Sequence, residues 1–217
     1  ESNNLKDAFA YYHLIVSKFP PTPNTTEEKR LYVRAAVGLC ANSEDILPLT
    51  TQEQIVTRAL ACIEDHRDLS LHVRTLIFKA RCMMRQGDFD GADVFYSKAL
   101  ALESTSDDPV LKEWICVYKS DIQIWCGHIR KAIYEYEQLA GKLEEFPSNA
   151  LFLKAYTRLG WSYGICGDIY RGLGIVNVVQ KKAIDLKIKY IEIYSELMKL
   201  MILTDSRRIE EARTSLD

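Results

Sequence analysis

GDFDGADVFYSKALAL, from Gly87 to Leu102, is the stretch that decides the fold. Gly87 and Asp88 make a tight corner, because glycine frees the backbone to end one helix and an acidic residue suits the start of the next. Ala92, Tyr96 and Ala99 then follow at spacings of four and three, which share one helical face. The corner recurs: Gly127 stands 40 residues after Gly87, and Gly167 another 40 after that. Arg207, within DSRRIEEA, falls in the same phase. Five residues beyond each corner lie Ala92, Ala132, Gly172 and Ala212, all small. Two antiparallel helices approach closely only where one offers a small side chain at the crossing. A fixed period of this length marks a stack of repeated helical hairpins.

Composition agrees with such a stack and excludes several alternatives. The 217 residues are 47% apolar, enough for a continuous core. A formal net charge of −2 supplies no strong basic field, so direct nucleic-acid binding is not expected. No run of 18 apolar residues predicts a membrane span; the most apolar stretch, from Leu197, is broken by Lys199. Cys40, Cys62, Cys82, Cys116, Cys126 and Cys166 form no CxxC pair and read as reduced core residues of an intracellular protein. The chain does not begin with Met and stops eleven residues into its last helical phase, so a fragment of a longer protein is expected.

Working outward, the first third is less regular. Apolar spacing predicts a helix over 5–19, broken by FPPTPNTT. Thr25 with Glu28, and Thr50 with Glu53, each match a capping box, for helices running to about Ala41 and His66. From Ser70 the phase predicts helices at 70–86 and 89–103, 109–126 and 128–145, 149–166 and 169–186, 188–203 and 207–216. Pro109 suits a first helical turn, and Ser148 or Asn149 an N-cap. All six prolines fall in connections. IVNVV, from Ile175 to Val179, is β-branched enough to resemble a strand, but the phase requires helix there. The expected architecture is an all-α, right-handed superhelical solenoid of antiparallel hairpins, about 11 helices in a single domain over 1–217. It comprises irregular hairpins at 1–69 and repeats at 70–108, 109–148, 149–187 and 188–217.

Gly87 with Ala92, Tyr96 and Ala99, and Leu159, Gly160 and Tyr163 before Gly167, resemble the tetratricopeptide repeat over about Ser70 to the end. The period departs from that family's usual 34. Longer units look like the helical sensor segments of bacterial signal-transduction ATPases and maltose-regulator-type activators, which the run from Lys182 to Ala212 resembles in texture. The repeat resemblance implies that the first helix of each hairpin lines a concave binding groove. On that basis the partner-binding residues are Arg74, Phe78, Arg81, Arg85, Trp114, Tyr118, Asp121, Trp125, Lys154, Arg158, Trp161, Tyr194 and Met198. Aromatic residues and arginine carry binding energy at interfaces. The tryptophans also suit packing between hairpins, and the arginines also suit a solvated face paired with carboxylates. Arg74, Arg81, Arg85 and Arg158 suit a carboxylate, phosphate or acidic peptide. The family's carboxylate-clamp pattern is not met, since the matching positions carry Ile77 and Arg81.

Nothing in the chain points to chemistry. His13, His66, His72 and His128 form no i, i+4 metal pair, and no phosphate-binding loop, dinucleotide fingerprint or nucleophile elbow occurs. Gly160, Gly164 and Gly167 signal close helix packing. The sequence therefore predicts a non-enzymatic module without cofactor or metal, binding a protein or peptide partner. The alternative is a regulatory segment that senses a small-molecule effector.

Overall fold

The computed structural model describes residues 2–19, 23, 25–42, 47–63, 68–103, 111–141 and 150–214, without the side chains of 2–8, 41 and 42. Eleven α-helices and no strand occur among them. They are α1 (Ser2–Lys18), α2 (Thr26–Asn42), α3 (Leu49–Ile63), α4 (Leu69–Arg85), α5 (Phe89–Glu103), α6 (Leu111–Trp125), α7 (Ile129–Ala140), α8 (Ala150–Ile165), α9 (Ile169–Asp185), α10 (Lys189–Asp205) and α11 (Ile209–Thr214). The fold is an all-α helical solenoid of the repeat type. IVNVV lies within α9, as the repeat phase requires. Pro23 and Pro48 lie outside helices; Pro20, Pro21, Pro109 and Pro147, and the caps expected at Ser148 or Asn149, fall outside the described residues.

Packing separates two compact units, Glu1–Tyr118 and Lys119–Asp217. In the first, each helix from α1 to α5 packs on the next, and α2 also touches α4. In the second, α7 to α11 pack in the same succession, and α8 also touches α10. The skipping contacts set first helices of successive hairpins side by side, which is how a repeat array extends its core.

The corners explain the period. Gly87 N–H donates to the Met84 carbonyl and Asp88 N–H to the Met83 carbonyl, both at 3.0 Å. This is the Schellman closure, and it needs a left-handed residue just past the helix. Gly87, Gly127 and Gly167 supply it with φ of 84°, 79° and 91°. The same pair of bonds closes at Lys187–Ile188 and Arg207–Arg208, where Lys187 and Arg207 adopt φ of 57° and 59°. From Gly167 the corner therefore recurs every 20 residues, and at Lys187 and Arg207 it forms without glycine. The acid after the corner caps the next helix: Asp88 accepts from Gly91 N–H at 2.9 Å and Asp168 from Arg171 N–H at 3.3 Å.

Small residues sit at the crossings. Ala92, Ala132 and Ala212 are buried. At Gly172 a Cβ would come within 2.6 Å of the Gly160 carbonyl oxygen, so α8 and α9 meet backbone to backbone. In the first unit Tyr32, Val33, Leu39, Ile63 and Phe78 form the core; in the second, Leu153, Val179, Ala183 and Ile191.

Two expectations are corrected. Thr25 and Glu28 form the reciprocal capping box, at 3.0 and 3.2 Å, but Thr50 and Glu53 do not start a helix. α3 already begins at Leu49, and Glu53 accepts instead from Lys79 Nζ at 2.9 Å and from Gln86. The Lys79 bond, then the Gln86 bond, hold the Glu53 carboxyl below its usual range. Cys40, Cys62 and Cys82 are buried, but Cys126 and Cys166 are exposed, because the residue before a corner glycine points away from the helix pair.

Candidate functional site

The thirteen residues expected to bind a partner fall into two clusters, one in each unit. In the first unit, spacings of four and three along α4 put Arg74, Phe78, Arg81 and Arg85 on one face. The start of α6 supplies Trp114 and Tyr118. Arg74 lies 5.2 Å from the Trp114 ring, and Trp114 meets Tyr118 edge-on at 6.0 Å. Arg81 stacks between Tyr118, at 4.4 Å, and Phe78, at 5.4 Å, and donates to the Tyr118 hydroxyl at 3.4 Å. These are cation–π distances in a desolvated setting, where such contacts are strongest. Arg85, at the exposed end, donates to Gln52 Oε1 at 3.2 Å. Cys40, Gln52, Phe78, Arg81, Cys82 and Arg85 line a cavity of about 10 Å³. Burial, then the neighbouring Cys82, pushes the Cys40 thiol up to about 12, so it stays protonated.

The second cluster is built around a buried carboxylate. Asp121 is 2% exposed. The Tyr136 hydroxyl donates to its Oδ1 at 2.5 Å, and Arg158 Nε lies 3.4 Å from the same oxygen as an ion pair without hydrogen-bond alignment. Burial, and secondly the Asp121 charge, push the Tyr136 phenol well above its ordinary value. The Arg158 guanidinium also lies 5.4 Å from the Trp161 ring and 5.3 Å from Tyr194, and Lys154 Nζ lies 5.8 Å from Tyr194. Trp125 is 56% exposed and leans on the buried Trp161 at 6.2 Å. The Trp161 indole N–H is buried with no hydrogen-bond partner among the described residues. Met198 is a core residue.

The arginines and tryptophans of the two clusters differ in exposure. Arg158 is paired with a carboxylate and Arg81 is buried, while Arg85 is open to solvent. Trp161 is packing, while Trp125 presents its face. Two participants escaped the sequence reading. Tyr136 stands 40 residues after Tyr96, and both are fully buried, so the period held the signal. Gln52 had none, since it lies in the irregular first third. His66 lies outside the described residues.

No family model matches the chain, and no curated protein sequence matches it. Solved structures do. The chain is similar to BtubC (BKLC) from P. vanneervenii with a TM-score of 0.59 at 16% identity, over 98% of this chain and 88% of that one. It is also similar to a putative kinesin light chain from Podosopora anserina with nearly identical TPR-like repeats: TM-score 0.57, 12% identity, over 89% of this chain and 94% of that one. A point variant of that protein gives 0.59 and 13%, over 90% and 94%. This is a TPR-like repeat fold. The likeness is in fold alone, and the resemblance to sensor segments of bacterial activators rests on sequence texture. Among the described residues no helix is long and apolar enough to cross a membrane.

Proposed function

We propose that the chain is a non-catalytic protein–protein interaction module, a TPR-like scaffold that holds a partner segment against the cationic and aromatic faces of its first helices. The observation that carries this reading is Trp125. A tryptophan 56% exposed against the buried Trp161, which in turn meets Arg158 at 5.4 Å, offers an apolar plate on the surface. Such a surface suits an apolar anchor flanked by acceptors. The second reading, a segment that senses a small effector, requires a pocket between helices. The cavity beside Arg81 has room for about one water, and a hollow of about 640 Å³ beside His128, Arg130 and Cys166 is the place an effector would take, but it lies widely open at the hairpin corners; the exposed Trp125 favours the interaction module. Free cysteines fit a reducing, intracellular compartment.

Co-purification followed by mass spectrometry of bound proteins and extracted small molecules tests the proposal. A stoichiometric protein, lost with Trp125→Ala and weakened by Lys154→Glu at unchanged melting temperature, is the expected result. A bound metabolite without a protein, or a partner indifferent to both changes, overturns it. Arg81 is the wrong residue for this test: it is 5% exposed, so reversing its charge disturbs the core along with the surface.

A further inference from the structure

Three arginines of the two clusters already have polar partners in the chain: Arg81 the Tyr118 hydroxyl, Arg85 Gln52 and Arg158 Asp121. Unpaired cations stand elsewhere, at the corner that follows Trp125. Gly127, His128, Ile129, Arg130 and Lys131, with Cys166 from just past the end of α8, line an open hollow of about 640 Å³. All six belong to the second unit. Arg130 and Lys131 are exposed and make no ion pair among the described residues.

The other glycine corners do not share this charge. Gly87 is followed by Asp88, Phe89 and Asp90, and Gly167 by Asp168, Ile169, Tyr170 and Arg171. Asp88 and Asp168 each cap their own helix, and Arg171 is paired with Glu137. At the middle corner His128 replaces the acid, and its side chain makes no cap on α7. The nearest carboxylates along the chain are engaged elsewhere. Asp121 is held by Tyr136 and Arg158, Glu135 accepts from Ser120 Oγ at 2.7 Å, and Glu137 accepts from Tyr163 and Arg171. No acidic residue lines the hollow. Its counter-charge is therefore absent among the described residues.

The hollow opens next to the apolar plate. Trp125 lies two residues before Gly127, and Ile165, directly before Cys166, is exposed as well. Ile165 also falls four residues after Trp161, on the same face of α8. An extended peptide advances about 3.3–3.6 Å per residue, so a side chain seated on Trp125 leaves the next residues of its segment at the hollow. Arg130 offers a planar fork that matches a carboxylate, and Lys131 a compact charge beside it. Complementary charge of this kind steers encounter and selects the partner. We infer that the hollow from Gly127 to Cys166 is a docking site for an acidic segment of a partner protein, with one apolar residue on Trp125 and the carboxylates of its neighbours at Arg130 and Lys131. The inference rests on Trp125 as the binding plate.

The test uses the full chain and two dye-labelled synthetic peptides, Gly-Gly-Leu-Glu-Asp-Glu-Gly and Gly-Gly-Glu-Asp-Glu-Leu-Gly, read by fluorescence anisotropy. Both end in an amide, so their side chains are the only peptide carboxylates. Saturable binding of at least one order is expected, and its Gln-Asn-Gln counterpart should bind roughly tenfold more weakly. Trp125→Ala should weaken binding roughly tenfold, Arg130→Glu or Lys131→Glu about threefold each, and the two charge reversals together roughly tenfold. All three residues are exposed, so the melting temperature should not change. Arg130→Gln with Lys131→Gln, a milder change, controls for folding and should give an intermediate loss. The absence of saturable binding in both orders overturns the inference. So does binding lost with Trp125→Ala but indifferent to Arg130 and Lys131, which would leave the apolar plate standing and the hollow without a role. Binding that needs the two cations but not Trp125 would overturn both the linked docking and the reading of Trp125. A single-stranded oligonucleotide of matching charge that binds as tightly would assign the hollow to nucleic acid and overturn the acidic-segment assignment.

Discussion

Positions 81 and 121 are the same place in two successive repeats, yet one holds a cation and the other an anion. Arg81 in the first unit is 5% exposed and Asp121 in the second is 2% exposed. Arg81 lies between the faces of Tyr118 and Phe78. Asp121 is held by a hydroxyl and a guanidinium, from Tyr136 and Arg158. The residue three positions before the buried one differs as well: Phe78 precedes Arg81, and Tyr118 precedes Asp121. The repeat thus fixes which side chain is buried, and the residues packed around that position decide what charge can be buried there. A buried cation is tolerated among aromatic faces, and a buried anion only with donors aimed at it.

The largest expected effect tests that contrast. Asp121→Ala leaves the Arg158 charge and the Tyr136 hydroxyl without their partner and should cost about 3–5 kcal/mol in urea unfolding. Arg81→Met keeps an apolar side chain between the same two rings and should cost about 1–2 kcal/mol, the loss of cation–π contact and one hydrogen bond. Equal losses would mean that Arg81 is held by charge in the same way as Asp121, and the distinction between the two clusters would fall. Tyr136→Phe belongs with the second cluster and should cost about 1–3 kcal/mol by leaving the carboxylate under-bonded.

The helix crossings give a second contrast, with a smaller effect. In the second unit α8 and α9 cross at Gly160 and Gly172, and 80 residues earlier, in the first, the corresponding positions on α4 and α5 are Ala80 and Ala92, both fully buried. Gly172→Ala should destabilise by about 2 kcal/mol, although alanine is the better helix former by about 1 kcal/mol, because its Cβ meets backbone that cannot move aside. Ala92→Leu should cost about 1–3 kcal/mol by overpacking. Thermal melts decide both. A neutral Gly172→Ala would show that the glycine crossing is no tighter than the alanine one.

How much of this was legible depended on whether a residue obeyed the period. Gly87, Ala92 and their echoes placed nearly every helix from Ser70 onward, because corner and crossing are backbone demands that few residue types satisfy. Thr50–Glu53 misled because a capping box is a local pattern, and tertiary partners, Lys79 and Gln86, competed for the same carboxylate. The face shared by Arg74, Phe78 and Arg81 could be read from spacing. The burial of Asp121 could not, since a carboxylate on a helix is ordinarily solvated and its stabilising donor, Tyr136, comes from the next helix. Cys126 and Cys166 were misassigned by composition, which knows nothing of which way a corner residue points.

The corners supply the smallest and most direct comparison. In the first unit the described corner is Gly87; the second unit has Gly127 and Gly167 but also Lys187 and Arg207, closing the same two bonds. A left-handed backbone costs a side-chain-bearing residue about 1–2 kcal/mol, and glycine avoids that cost while losing about 0.5–1 kcal/mol more entropy on folding. Lys187→Gly and Arg207→Gly should therefore each stabilise the chain by about 0.5–1 kcal/mol, raising its melting temperature by roughly 1–4 °C. The reverse change, Gly167→Lys, should lose a similar amount without any steric clash, because a Cβ there meets nothing within 4 Å. If Lys187→Gly destabilises while Gly167→Lys behaves as expected, Lys187 contributes a contact that outweighs its backbone strain. The corner after α9 would then be held by its side chain, unlike the corner before it.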